Sequence, residues 1–374
     1  MDGIASGETG LRTVPAAVTP APLRTELRRL PVPEIGPDEG LLAVEACGLC
    51  GTDWDFYTRR RGSHLGPLIL GHEIVGRILA VGEQAARRWN VRSGDRVAVE
   101  EFLPCGHCEF CFSGRPALCE ATDSRGERFL RYGATPIDVP PGLWGGFCEL
   151  LYLHPHAYVH HIGDLSADLA TLFVPIGNGV RWVLKEGRLP RGGTAVIIGP
   201  GAHGLGCVIA AREGHAEHVF AVGRTAGARL EAARALGAVP IESSRLDVVA
   251  TVREATAGRM ADVIVDLAPG VPETVEMAIA LARKGGTVVL ASAKHGKPVA
   301  GFSSDMVVRS EITVRGVRGR DYGSVEEALR IIRSGRYPLQ RLRTHTFPLG
   351  EADRALRVLG ERTDPSAIHV TVVP

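Results

Sequence analysis

The sequence predicts an α/β protein of two unlike parts: a doubly wound parallel sheet and an irregular β-rich portion. Three observations predict it. Between about residues 178 and 317, short apolar β-type runs alternate with helical stretches, the pattern of right-handed βαβ units. A glycine-rich turn falls between one such strand and the following helix. Residues 20–176 instead carry frequent Pro and Gly turns, short strands, and most of the cysteines and histidines.

A chain of 374 residues suggests about two domains. Its 45% hydrophobic and 23% charged residues are ordinary for a globular protein. A net charge of +1 gives no electrostatic reason to expect nucleic acid or an anionic membrane as partner. The opening "MDGIASGETGLRTVPAAVTP" has no basic segment followed by an apolar run, so it does not read as a secretory signal. No apolar run approaches the ~18 residues of a membrane span. A cytoplasmic protein is expected, in which the eight cysteines serve as thiols or metal ligands rather than disulfides.

In the β-rich portion, "GLLAVEA" and "EIVGRILAVG" read as strands. Between them lies "CGLCGTDWD", residues 47–55. Its Cys-x-x-Cys fits a redox dithiol, half of a zinc knuckle, or one metal ligand beside a bystander, and the nonapeptide alone does not decide. "CGHCEFCFSGRPALC" is more specific: Cys105, Cys108, Cys111 and Cys119 are spaced C-x2-C-x2-C-x7-C. Four thiolates so close in sequence can close a tetrahedral zinc site with no open position, which holds a loop together and performs no chemistry. The histidines of "LHPHAYVHHIG" (His154, His156, His160 and His161) lack a cysteine partner and read as loop and strand residues.

In the parallel-sheet portion, "TAVIIG" is a buried strand, followed by the helical "GLGCVIAAREG", the strand "HVFAVG" and the amphipathic "GARLEAARALG". "ADVIVDLA", the helical "PETVEMAIALARKGG", "TVVLASA" and "EITVRGV" continue the alternation. Gly199, Gly201 and Gly204 form G-x-G-x-x-G between strand and helix, the setting in which this motif binds a dinucleotide. The first glycine permits the turn, the second admits the pyrophosphate, and the third lets helix pack on strand. His203, inside the motif, is expected to line the cofactor cleft. The next strand usually ends in an acid that holds the ribose of NAD. Here that place is Gly223, followed by Arg224 and Thr225, with Arg229 a helical turn later. This arrangement suits a 2′-phosphate, so NADP is expected over NAD. The tail after 318 ends in the strand-like "AIHVTVVP" and is expected to fold back onto the first portion, making the parallel sheet an insertion.

Together with "GHE" at 71–73, "GGF" at 145–147 and "HTFPLGEADRALRVL" near the end, these motifs resemble, nearly end to end, the zinc-dependent medium-chain alcohol dehydrogenase superfamily of alcohol, polyol and threonine dehydrogenases. The resemblance implies a GroES-like catalytic domain over 1–177 and 318–374 and a Rossmann domain over 178–317. It implies two zinc ions per chain. One is held by the four-cysteine lobe. The other is held by Cys50 and His72, with Glu73 as ligand or close neighbour, and acts as a Lewis acid on the substrate oxygen. Thr52 resembles the hydroxyl that passes the substrate proton outward, and Asp53 a carboxylate orienting His72. Cys47 is then a packing residue.

Two departures stand out. Val174 replaces a metal-facing residue of many relatives, and Asp55 replaces a histidine that takes the relayed proton. Asp55 reads as that acceptor, as a substrate-attracting acid, or as a surface residue. Val174 and Glu73 point toward the polyol-like branch. The expected reaction is hydride transfer between a secondary alcohol (polyol, sugar alcohol or aminocyclitol-like) or its ketone and a nicotinamide cofactor. Alternatives are an internal-redox epimerase on the same fold and a zinc-ribbon binding module. A homodimer or homotetramer through the Rossmann edge near 300–316 is expected.

Overall fold

The structure is a computed structural model, and it describes residues 12–62, 64–123 and 129–374. The chain forms two units.

The first unit contains β1 (Thr13–Ala21), β2 (Arg24–Pro31), β3 (Gly40–Gly48), β4 (Leu68–Ile69), β5 (Glu73–Val81), β6 (Arg96–Val99), β7 (Leu150–Leu153) and β8 (Val159–His161). β1 pairs antiparallel with both β2 and β4. β3 pairs antiparallel with β5, in a register that sets Gly48 opposite Glu73 and Cys47 opposite Ile74. Leu42, Ile74, Val97, Trp144 and Phe147 belong to one fully buried apolar cluster. That burial fixes the register, because a slip of one residue would turn each strand's apolar side chains to the opposite face.

The second unit, Val174–Leu342, holds β9 (Thr194–Ile198), β10 (His218–Gly223), β11 (Val239–Glu242), β12 (Ala261–Asp266), β13 (Ala282–Leu290) and β14 (Thr313–Gly316). They form one parallel sheet in the order β11-β10-β9-β12-β13-β14. Every residue of β9 is buried, as expected of a central strand covered on both faces. The chain leaves β9 to one side for β10 and β11, then returns to the other for β12. The end of β9 is therefore the switch point where such sheets bind ligands.

The last strands, β15 (Arg343–Pro348) and β16 (His369–Val373), belong to the first unit. They complete a sheet ordered β15-β16-β3-β5-β6-β8, with β7 paired to β3.

Two expectations need correction. The units divide at 173/174 and 342/343, not at 177/178 and 317/318. Residues 318–342 are tied to the parallel-sheet unit by polar contacts: Trp182 Nε1 donates to the Gly319 carbonyl (2.9 Å), Lys185 pairs with Asp321 (2.6 Å), and Glu213 accepts from Tyr337 (2.7 Å). The helix read through "ARKGG" stops at Leu281. Arg283 turns to Asp262 (2.5 Å) and Gly285 takes a positive φ of 71°, so this stretch joins β13 instead. Among the described residues, no helix is long and apolar enough to cross a membrane.

Candidate active site

The short helix Gly51–Tyr57 begins directly after Cys50, and Asp53 on its first turn organises the site. Asp53 is fully buried and receives three donors. The Cys50 backbone N–H donates to its Oδ2 (2.9 Å), and the Gly71 backbone N–H to its Oδ1 (3.0 Å). The His72 ring contacts Oδ1 through Nδ1 at 3.2 Å. Gly71 has φ +87°, and a Cβ there would run into Phe147 and the Cys47 sulfur, so glycine is needed to bring His72 in. With Nδ1 on Asp53, Nε2 is the nitrogen left for a metal, the usual way a carboxylate fixes a ligating imidazole. Burial pulls the His72 pKa down, but the charges of Asp53 and Glu101 outweigh it and hold the ring well above the ordinary histidine range.

Cys50, His72 and Glu73 offer one ligand atom each, and these atoms lie within 4.8 Å of one another. A thiolate, an imidazole and a carboxylate make a donor set suited to a catalytic zinc with a position left open, so the residues present fit the metal. The Thr52 hydroxyl lies 3.7 Å from the Cys50 sulfur. Cys47, by contrast, is fully buried in the apolar cluster and its thiol donates to the Gly48 carbonyl (3.5 Å). Burial first, then nearby carboxylates, push its pKa well up. It is a packing residue, as expected.

Three partners carried no sequence signal. His369, on β16, is fully buried, and its Nε2 lies 2.8 Å from Glu73 Oε2. The two meet across Gly48, where any Cβ would run into both. Glu101 places Oε2 3.7 Å from His72 Nε2 and forms a buried ion pair with Arg131. Asp55 stands apart from the converging set: it pairs with Arg60 at 4.0 Å.

The four cysteines 105, 108, 111 and 119 also converge within 4.8 Å. Cys108 and Cys111 sulfurs are 3.4 Å apart, and Cys105 and Cys111 sulfurs 3.9 Å. Zinc–sulfur bonds of about 2.3 Å in a tetrahedron put sulfurs about 3.8 Å apart, so this lobe fits zinc as well. Burial raises the Cys119 thiol, but hydrogen bonds from Thr122 and from the backbone of Cys105, Thr122 and Ala121 win and bring it to about 6. Burial, with the sulfurs of Cys108 and Cys119, pushes Cys111 up to about 12. The four histidines fall outside both clusters: His160 is buried against Glu100 (3.1 Å), and His161 contacts the Asn90 carbonyl (2.9 Å).

In the second unit, Gly199 follows β9 with φ +97°. Gly201 caps the helix Ala202–Glu213, and a Cβ there would meet open space, whereas one on Gly204 would run into the Gly199 carbonyl. That is the bare cradle a pyrophosphate needs at a helix N-terminus. His203 contacts the Asn178 amide (3.1 Å) and lies 5.8 Å from the Trp182 ring. Gly223 ends β10, Arg224 and Thr225 beyond it are exposed, and Arg229 is partly buried.

Comparison with known proteins gives the chain's family. Residues 36–164 match the alcohol dehydrogenase GroES-like domain, and residues 202–334 match the zinc-binding dehydrogenase family. A probable alcohol dehydrogenase of Mycobacterium tuberculosis is 40% identical over 368 residues, 96% of this chain and 98% of that protein. The chain belongs to the zinc-type medium-chain alcohol dehydrogenase superfamily. An L-threonine 3-dehydrogenase of Bacillus subtilis is 29% identical, covering 89% of this chain and 91% of that protein. An erythritol/L-threitol dehydrogenase of Mycolicibacterium smegmatis is 28% identical, covering 96% and 97%. An alcohol dehydrogenase structure from Thermotoga maritima superposes with a TM-score of 0.85 at 24% identity, covering 97% of this chain and 99% of that one, and shares the fold. The chain is an alcohol oxidoreductase of this superfamily.

Proposed function

We propose that this dehydrogenase oxidises a secondary alcohol of the polyol class, or reduces the matching ketone, with NADP(H) as hydride carrier. Cys50, His72 and Glu73 would hold a catalytic zinc, and Cys105, Cys108, Cys111 and Cys119 a structural one. The observation that carries this reading is the convergence of Cys50, His72 and Glu73 within 4.8 Å, with the Thr52 hydroxyl 3.7 Å from Cys50. A zinc ion there supplies a Lewis acid that polarises the substrate oxygen. The protein's residues do the rest. Asp53 and His369 orient the two ligands beside Cys50, and Thr52 accepts the substrate's proton and passes it outward. Asp55, one helical turn further along the same face and partly exposed, takes the proton to solvent. The polyol assignment is supported by Val174, which cannot ligate a metal, and by the name of the erythritol/L-threitol relative.

The cofactor assignment is supported by Gly223, Arg224, Thr225 and Arg229. A carboxylate at 223 would repel a 2′-phosphate, whereas Arg224 offers it a charge-assisted hydrogen bond of about 1.5–3 kcal/mol. Arg224→Ala should weaken NADP binding at least about tenfold and leave NAD nearly unaffected. Gly223→Asp should move preference toward NAD, provided Leu230 gives way, since a Cβ there would stand 3.0 Å from its Cγ. We also infer that copies associate along β14, the sheet's edge strand, beside the exposed Val308.

The test is a panel of polyols, simple secondary alcohols and ketones with each nicotinamide cofactor, followed by absorbance, alongside metal analysis. Turnover of polyols with NADP and two zinc ions per chain is expected. Equal or better kcat/KM with NAD, or a single zinc in active protein, would overturn the corresponding part.

A further inference from the structure

Glu101 and Arg131 form a buried ion pair on the Nε2 side of His72, apart from the residues proposed to hold the metal or relay the proton. Glu101 Oε2 lies 3.7 Å from His72 Nε2. Two donors sharing one zinc, with bonds of about 2.0 Å, stand about 3.3 Å apart, so this carboxylate borders the candidate metal's surroundings. It is not one of the converging donors, and the same oxygen is engaged by Arg131. Arg131 is 95% buried (5% relative exposure). Its guanidinium lies 5.9 Å from the Phe56 ring and 5.2 Å from the Phe102 ring. Phe56 is four residues beyond Thr52 on the same helix and so shares its face. The Arg131 Nε finds no acceptor among the described residues, an unusual state for so buried a donor.

We infer that Glu101 and Arg131 are specificity-determining residues that receive a second hydroxyl of the substrate, on the carbon next to the one oxidised. The proposal rests on the alcohol-oxidation reading and narrows its substrate class to vicinal diols and polyols. The pair has no net charge and sets a carboxylate acceptor beside an unused N–H donor. A hydroxyl is the group that satisfies both at once, donating to Glu101 and accepting from Arg131 Nε. An ammonium would face the guanidinium, and a carboxylate would face Glu101, so amino alcohols and hydroxy acids are disfavoured. Glu101 also lies within about one ligand spacing of His72 Nε2, a short reach that suits the neighbouring carbon.

The test uses the zinc-loaded protein with 2-butanol, 2,3-butanediol and 3-amino-2-butanol, which differ at that one substituent. Two readouts are taken: kcat/KM with NADP, and the melting-temperature shift each alcohol produces in the presence of NADPH. Wild type should prefer the diol over the mono-alcohol at least about tenfold, because a site built around a hydroxyl penalises the analogue lacking it. It should not prefer the amino alcohol. In Glu101→Met/Arg131→Met, which removes both charges together and so is better tolerated than loss of one, the diol's advantage and its specific melting shift should disappear while zinc content is retained. Glu101→Gln provides a second variant should the double one not fold; it should reduce the diol-to-mono-alcohol ratio. An unchanged ratio and shift in the variants would overturn the inference, as would a wild type blind to the second hydroxyl. Loss of zinc with a parallel fall on all alcohols would overturn it too, making Glu101 a metal-holding group. If no alcohol turns over with either cofactor, the oxidation reading fails by itself, and the diol-specific melting shift still decides this one.

Discussion

The two clusters of candidate metal ligands in the first unit are assembled in opposite ways. The cysteine lobe draws four donors from fifteen consecutive positions, 105–119, and three of the four are only partly buried. Its sulfurs are held by each other and by the loop's own backbone. The Cys50–His72–Glu73 cluster is gathered around the end of β3 and the start of β5, and its His72 and Glu73 are buried. Each donor there is held by something else: Cys50 and His72 by Asp53, and Glu73 by His369. The difference separates a site that makes its own structure from one whose geometry is imposed by the fold around it.

That contrast can be broken most severely at the lobe. Cys111→Ala should cost solubility or folding if the lobe holds zinc as proposed, because in finger peptides zinc binding and folding are one process, worth about 10–16 kcal/mol. Cys50→Ala should instead abolish turnover while leaving the circular dichroism spectrum and melting transition near wild type. A folded, active Cys111→Ala protein would erase the distinction, as would a Cys50→Ala protein that fails to fold.

A smaller effect is expected next to the proposed metal ligands. Thr52→Ala should lower kcat by about 10²–10⁴-fold, the scale of acid–base groups, and Thr52→Ser should restore most of it. Asp55→Asn should shift the pH–rate profile; a change confined to KM would make Asp55 a substrate contact. Smaller again is the effect of an outlying support. Gly48→Ala would wedge a methyl between Glu73 and His369 and should weaken zinc retention at this site by about 10–100-fold, the usual cost of losing a ligand's hydrogen-bond partner. A chelator titration followed by metal analysis would read it. Lobe zinc should stay bound under the same conditions, and equal loss from both sites would contradict the comparison.

Much of this was legible in the sequence for reasons that the two clusters share and do not share. The lobe is a local pattern, so spacing alone exposes it, and the glycine turn after β9 is readable in the same way. Cys50 and His72 needed the resemblance to a family, because nothing local distinguishes Cys50 from Cys47. Glu101, Arg131 and His369 left no trace. Their significance comes from side chains meeting across strands, such as His369 reaching Glu73 over a bare Gly48, and no periodicity encodes that. The unit boundary was misplaced for a similar reason. Residues 318–342 are held to the parallel-sheet unit by long-range pairs such as Lys185–Asp321.

The contact between His369 and Glu73 also bears on timing. The two residues are 296 positions apart, so ribosomal synthesis delivers Glu73 long before the strand that steadies it. The cysteine lobe, complete once residue 119 has emerged, can take up its ion while most of the chain is still unmade. The other cluster holds Glu73 in place only after β16 has joined β3. Nascent chains halted before residue 369 should therefore carry a filled lobe and a loosely held catalytic set, and metal would enter the two sites in a fixed order.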